Sequence, residues 1–230
     1  MKNEVPPNES RLQPAELVEE KLKQLGIEIK ENHADFTSLT NEEVLNLFDD
    51  LVGSGEIVLH GTNADNPYTE LEPRQANDGA KESGNKNAVY ATIQTKAALN
   101  HAVLNMTYIR SKLSSFTWGE DSHGEKVIVR ATPELYQMFK DHDPRLAADG
   151  YMYVLDRNNF VSAPDAGKIE FHSEESQKPL AICKVSKKLG DALFVVGQGE
   201  GDTVHEYTQK EIEEMEARRD KFQEIIKKEL

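Results

Sequence analysis

The chain has little of what would cross-link it or hold it in a membrane. Its 230 residues include one cysteine, Cys183, so no disulfide can form within it. Cys183 sits in the apolar run Leu180-Ala181-Ile182-Cys183, and a buried, inert thiol is expected there. Hydrophobic residues make up 37% of the chain, and no apolar stretch approaches the roughly 18–20 residues that a membrane-spanning helix needs. Met1-Lys2-Asn3-Glu4 lacks the apolar segment of a signal peptide, so a cytoplasmic protein with no membrane partner is expected, secretion by a signal-less route staying open. Positive charge is also scarce: 27 Lys and Arg stand against 41 Asp and Glu, for a net charge of −14. Nonspecific nucleic-acid binding draws its affinity from cations that neutralise phosphates, and this balance argues against it. His33, His101, His123, His142, His172 and His205 show no metal-ligand spacing, so no metal is expected. Walker-type loops, nucleophile elbows and internal repeats are missing too, and Gly197-Gln198-Gly199-Glu200-Gly201 has the spacing of a turn rather than of a dinucleotide fingerprint.

What is present begins with a proline-rich, polar start over residues 1–13, expected to be flexible. A helical segment follows over 14–55. Pro14 opens the first helix, Ala15 to Leu25, whose stripe is Leu17, Val18, Leu22 and Leu25, and Gly26 stops it. Thr40 can cap a second helix from Asn41 to Leu51, with Val44, Leu45, Phe48, Leu51 and Val52 as its apolar face. Strands are expected at Glu56–His60, Ala88–Thr92, Lys126–Ala131, Tyr151–Asp156, Lys168–His172, Leu180–Val185 and Ala192–Val196. Thr95 is expected to cap a helix carrying Ala98, Leu99, Ala102, Val103 and Met106, and Pro133–Lys140 reads as a short helix. Residues 63–87 and 112–125 read as polar, turn-rich loops, long enough to have a functional role. A charged helix from Thr208 to about Lys228 closes the chain, within a C-terminal segment over 198–230. Helices, short strands with few crossover helices, and a final helix do not alternate regularly. That order predicts an α+β fold rather than a doubly wound sheet.

Three polar side chains stand on or beside strand-like segments. His60 ends Ile57-Val58-Leu59-His60-Gly61-Thr62, Tyr90 lies within Ala88-Val89-Tyr90-Ala91-Thr92, and Glu170 heads Glu170-Phe171-His172-Ser173. Convergence of the three on one cleft is expected. His172 alternates with Glu170 on one face and is expected at the surface.

These segments, with Lys96-Ala97-Ala98 after the second strand and Leu180-Ala181-Ile182-Cys183-Lys184-Val185 after the third, resemble the ADP-ribosyltransferase fold of the diphtheria-toxin and poly(ADP-ribose) polymerase branch. The resemblance covers residues 56–197. It implies a split, mixed or antiparallel sheet with flanking helices, bearing a His-Tyr-Glu triad on separate strands. It also implies NAD as a substrate. His60 would hydrogen-bond the adenosine ribose, the backbone of Gly61 would hold the nicotinamide amide, and Tyr90 would stack under the nicotinamide ring. Glu170 would bond the 2′-hydroxyl of the nicotinamide ribose as the catalytic group. Thr62 and Ala91 flank these positions, and Arg74 in the long loop is the candidate donor to the pyrophosphate. The pattern is not complete. Polymerase-like members carry a serine eight residues after the tyrosine and a second aromatic eleven after it; here Ala98 and His101 stand there, and the imidazole of His101 is the candidate second wall of the ring site.

The activity implied is cleavage of the nicotinamide–ribose bond and transfer of ADP-ribose to an acceptor, expected to be a protein. That bond breaks with positive charge developing on the sugar, as in glycoside cleavage, and a fixed carboxylate beside the ring stabilises that charge more than the ground state. Hydrolysis of NAD with water as acceptor is an alternative. So are RNA 2′-phosphotransfer, which the acidic balance disfavours, and a catalytically degenerate module of the same fold that binds a nucleotide or a protein.

Overall fold

A computed structural model describes residues 12–76, 86–105, 108, 115–121, 124–131, 137–138, 141, 143–163, 168–189, 204–206, 210 and 213. The chain divides into two compact units, one of Met1–Ala102 with Tyr151–Val185 and one of Val103–Gly150 with Ser186–Leu230. In chain order the helices are α1 (Pro14–Gln24), α2 (Asn41–Gly53) and α3 (Thr95–Val103). The strands are β1 (His33–Asp35), β2 (Ile57–Thr62), β3 (Arg74–Gln75), β4 (Asn87–Thr92), β5 (Ser115–Asp121), β6 (Gly124–Ala131), β7 (Gly150–Asp156), β8 (Val161–Ser162), β9 (Glu170–Ser173), β10 (Ala181–Val185) and β11 (Val204–Glu206).

In the first unit the two N-terminal helices form where their boundary residues dictate. The N–H of Gln13 donates to the Glu16 carboxylate at the start of α1, and Gly26 ends the helix in the left-handed region, at φ +71°, which glycine adopts at least cost. Thr40 and Glu43 bond reciprocally at the start of α2: the Glu43 N–H donates to the Thr40 hydroxyl at 3.2 Å, and the Thr40 N–H donates to the Glu43 carboxylate at 2.8 Å. Val18 and Leu22 of α1, and Val44, Leu47, Phe48 and Leu51 of α2, are buried. Lys21 and Asp50 pair between the two helices at 2.9 Å.

The same unit holds an eight-stranded sheet in the order β1-β10-β7-β2-β4-β9-β8, with β3 laid on β4. β1 runs parallel to β10, while β2 with β7, β2 with β4, β4 with β9 and β8 with β9 are antiparallel. A mixed, open sheet with separate helices is an α+β arrangement, as expected. Val58, Leu71, Val89, Ala91, Tyr153, Leu155, Phe171 and Ile182 form a continuous apolar cluster. Cys183 is fully buried, and burial pushes its thiol far above the usual range, which leaves it unreactive.

The second unit carries a three-stranded sheet. β5 and β6 pair antiparallel from Ser115↔Arg130 to Asp121↔Gly124, and β11 adds to β6 in parallel. The stretch expected as a polar loop over 112–125 is therefore mostly a strand and the start of its partner. Thr95 also departs from expectation. It is the first residue of α3 rather than its cap, and its hydroxyl is buried with no hydrogen-bond partner among the described residues. The expected strand Ala192–Val196, the turn at 197–201, most of the helix at Pro133–Lys140 and most of the C-terminal helix lie outside the described residues. No helix among the described residues is long and apolar enough to cross a membrane.

Candidate active site

The centre of the large sheet has a weak seam. β2 matches β7 at every position from Ile57 to Thr62, and β4 matches β9 from Val89 to Thr92. Between β2 and β4, by contrast, the register rests on the single pair Leu59↔Thr92. The ladder does not continue from there to Gly61 and Tyr90, so the two strands part at the position where the expected site residues begin.

His60 spans the gap. Its Nδ1 lies 2.6 Å from the main-chain oxygen of Tyr90. A carbonyl can only accept, so Nδ1 carries the proton and Nε2 presents a lone pair. Burial lowers the pKa of His60; the bond to the Tyr90 carbonyl opposes that shift, and the charge of Arg74 adds to it. The imidazole is therefore held neutral at pH 7, ready to accept a hydrogen bond from a hydroxyl.

The strand pairing settles which faces the side chains take. Residues matched across an antiparallel ladder share a face, and neighbours along a strand alternate. Leu59 matches Thr92, Thr92 matches Glu170, and Tyr90 matches His172. Tyr90, Thr92, Glu170 and His172 thus lie on one face, together with the position of Gly61. His60 matches Tyr153 and lies on the other face, their ring centroids 5.8 Å apart. The expected convergence of the three side chains on one cleft is not what the register gives: they lie on the two faces of the sheet, and only the Tyr90 main chain is reached by His60. Tyr90 and Glu170 approach from one face, and His60 reaches through the opening to the Tyr90 main chain.

On the face of His60, the Tyr153 hydroxyl accepts from the Tyr68 N–H at 3.0 Å. The guanidinium of Arg74 sits 5.0 Å from the centre of the Tyr68 ring, a cation–π distance. Burial, with Tyr68 and Tyr151 nearby, pushes the Tyr153 hydroxyl up to about 12, against the pull of the Tyr68 N–H and of Arg74. Arg74 itself is exposed on β3, opposite Ala88, a position on the face of Tyr90, and it is its guanidinium end that comes near Tyr68 and His60. A guanidinium, a neutral imidazole and tyrosine rings therefore share one neighbourhood. Thr62 is half-buried opposite Tyr151, whereas Ala91 is buried opposite Phe171, so Ala91 could offer a ligand only its main chain.

On the opposite face, the Tyr90 hydroxyl accepts from the Lys86 N–H at 2.9 Å and donates to the Lys86 carbonyl at 3.1 Å. The ring beside Tyr90 is that of His172, 6.5 Å away between centroids. His172 is 5% exposed, which corrects the surface position expected for it. The Tyr90 ring and the Lys86 side chain lie against it. Glu170 is half-buried at the start of β9.

Gly61 faces α3. A side chain there would meet the Ala98 carbonyl oxygen, with the Ala98 carbonyl carbon at 2.8 Å and the Ala102 nitrogen at 2.9 Å. The glycine thus permits close approach of the helix main chain. Ala98, standing where the resembled pattern has serine, is buried at that contact, while His101 is exposed on α3. Sequence reading missed Tyr68, Lys86 and Tyr153; the alternation Tyr151-Met152-Tyr153 was the one local signal for the last. Comparison with known families, with curated proteins and with solved structures finds no match.

Proposed function

We propose that this chain is an NAD-dependent ADP-ribosyltransferase, its larger sheet being the split sheet of that fold. The observation that carries the reading is the seam between β2 and β4, joined at Leu59↔Thr92 and bridged by His60 to the Tyr90 carbonyl, with Glu170 matched to Thr92 at the same point.

The two sides of the seam suit the two halves of a dinucleotide. The neutral His60, with a free Nε2 lone pair beside Arg74 and tyrosine rings, suits a ribose hydroxyl and a phosphate. Tyr90 offers an aromatic face to the cationic pyridinium, a contact of about 0.5–2 kcal/mol. The carboxylate of Glu170 would stabilise the positive charge that develops on the ribose as its bond to nicotinamide breaks, and would bond the ribose 2′-hydroxyl. Nicotinamide leaves as a neutral ring and needs no strong acid. The bonding pair goes to the pyridine nitrogen, and the acceptor nucleophile closes on C1′ while passing its proton to the Glu170 carboxylate. The acceptor we infer is a protein.

Release of nicotinamide from NAD, measured with and without cell extract, tests the proposal. Release that requires extract, with ADP-ribose appearing on a protein and lost in Glu170→Gln, supports transfer. Release without extract means water is the acceptor. NAD binding without release means a binding module, and neither binding nor release overturns the reading.

A further inference from the structure

His172 is buried on the face shared by Tyr90 and Glu170, and the chemistry proposed above makes no use of it. Its Nε2 lies 2.9 Å from the Nζ of Lys86. Lys86 Nζ also lies 3.4 Å from a carboxylate oxygen of Glu174. An ammonium can only donate, so this contact requires the lone pair of the imidazole on Nε2 and its proton on Nδ1. Lys86 is also the residue whose main-chain N–H and C=O hold the Tyr90 hydroxyl from both sides. One residue thus grips Tyr90 through its backbone and β9 through its side chain.

We propose that Lys86 and His172 are positioning residues for Tyr90, forming a clasp between β4 and β9 that only the neutral imidazole of His172 can close. The inference rests on the assignment of Tyr90 as the wall of the nicotinamide site. The groups around His172, titratable and charged ones included, lie on or beside three strands. On β4 these are Tyr90, its cross-strand match, and Lys86 just before the strand. On β8 the match is Val161, which cannot titrate, and on β9 the flanking charges are Glu170 and Glu174. A proton on Nε2 would set two cations in hydrogen-bond contact, so the clasp opens. Lys86 keeps its Glu174 partner, 69% exposed, and its carbonyl keeps the Ala76 N–H at 3.1 Å, but its tie to His172 is lost. The phenol ring then loses its fixed orientation. Measurements at about pH 8 and about pH 5.5 bracket the range in which imidazoles as a class change charge.

Two measurements test the clasp. The first, independent of NAD, is the ¹⁵N spectrum of the imidazole in the full chain. At about pH 8 it should show His172 protonated on Nδ1, and Lys86→Met should change the Nε2 resonance and broaden the Tyr90 ring signals. The second is NAD affinity by calorimetry at both pH values. Wild type should bind about fivefold or more weakly at the lower pH, a loss within the range of a weakened aromatic contact. His172→Gln, whose amide oxygen accepts from Lys86 without titrating, should keep the affinity seen at high pH and lose most of its decline. Lys86→Met should bind weakly at both. His172 protonated on Nε2 at about pH 8, or Tyr90 signals unchanged in Lys86→Met, overturns the clasp whether or not NAD binds. An affinity decline kept by His172→Gln overturns it as well and moves the titration to His60. Absence of NAD binding by wild type at either pH, with the spectra as expected, removes the dinucleotide reading and leaves the clasp standing.

Discussion

Gly61→Ala is the substitution whose cost the structure defines best. The added methyl would fall on the main chain of α3, against the Ala98 carbonyl and 2.9 Å from the Ala102 nitrogen. Flexible side-chain ends can swing away, but these atoms belong to a hydrogen-bonded helix, so either α3 or β2 must shift bodily. Overpacking of this kind costs about 1–3 kcal/mol. Gly61 does not sit in the left-handed region, so alanine adds no backbone strain and recovers about 0.4–1 kcal/mol through a less flexible unfolded chain. Because the clash is with helix backbone, the overpacking cost lies in the upper part of its range, about 2–3 kcal/mol, and the net loss is about 1–2.6 kcal/mol. With a urea slope of about 2 kcal/mol/M, the midpoint should fall by about 0.5–1.3 M with the slope unchanged. Gly53→Ala is the control. Nothing lies within 4 Å of its added methyl, and it closes α2, so the change should be neutral or stabilising by up to about 1 kcal/mol. If Gly61→Ala unfolds at the wild-type midpoint, α3 does not press on β2 as described, and the reason given for the glycine fails.

Glu170→Gln should lower nicotinamide release by about 10²–10⁴-fold while NAD affinity stays within about threefold, read by single-turnover kinetics beside calorimetry. An equally active variant would place the carboxylate role elsewhere. His60 is held neutral in the fold, its pKa lowered by burial, whereas the unfolded chain takes up the proton near pH 6.5. Between the two pKa values the unfolded state binds more protons, so stability is full above about pH 6.5 and falls as the pH drops below it. His60→Gln should flatten that decline in denaturation series between pH 7.5 and 5, at about those limits, and an unchanged slope would remove His60 from the account. Tyr153→Phe removes the acceptor of the Tyr68 N–H and should cost about 1–2 kcal/mol, seen as a lower thermal midpoint.

Both N-terminal helices were legible because their signals are local. Proline at the first position of α1, glycine after its end, and Thr40 with Glu43 at the start of α2 act within a turn of the residues they control. The strands β2, β4, β7 and β10 were legible as apolar runs, each within two residues of its observed limits. β1 was not. It is three residues long and exists because it pairs with β10, whose residues stand about 150 positions later, a partnership no local window contains. β5 read as a loop because Gly119, Glu120 and Asp121 suggest a turn, and its definition comes from the long antiparallel match to β6. His172 was misplaced for the same reason: alternation put it beside Glu170 correctly, but its neighbours on that face, Tyr90 and Lys86, stand more than 80 positions earlier in the chain. Thr95 failed as a cap because propensity names the residue type that suits a helix start and not which of two adjacent residues turns first.

The relative facing of His60 and Tyr90 was beyond any sequence argument, since it turns on which residue of β2 meets which of β4. A slip of one residue would reverse it. The observed register has a chemical consequence. Where two inner strands stop pairing, main-chain groups that a continued ladder would have satisfied must turn to other partners. The Tyr90 carbonyl turns to the His60 imidazole, and the side chain takes the place of a β2 amide. On the proposed function, the rest of the opening suits a ligand that carries its own amide. The carboxamide of nicotinamide has one acceptor and one donor group, as a peptide unit does, and can complete a strand edge where protein main chain is missing. On that proposal, recognition of the carboxamide asks for little local charge, and among the described residues Arg74 is the guanidinium whose charge bears on His60. Such recognition asks instead that the seam stay open by a fixed amount, and the tight contact of Gly61 with α3 on one side and the hold of His60 on Tyr90 across the gap set that width.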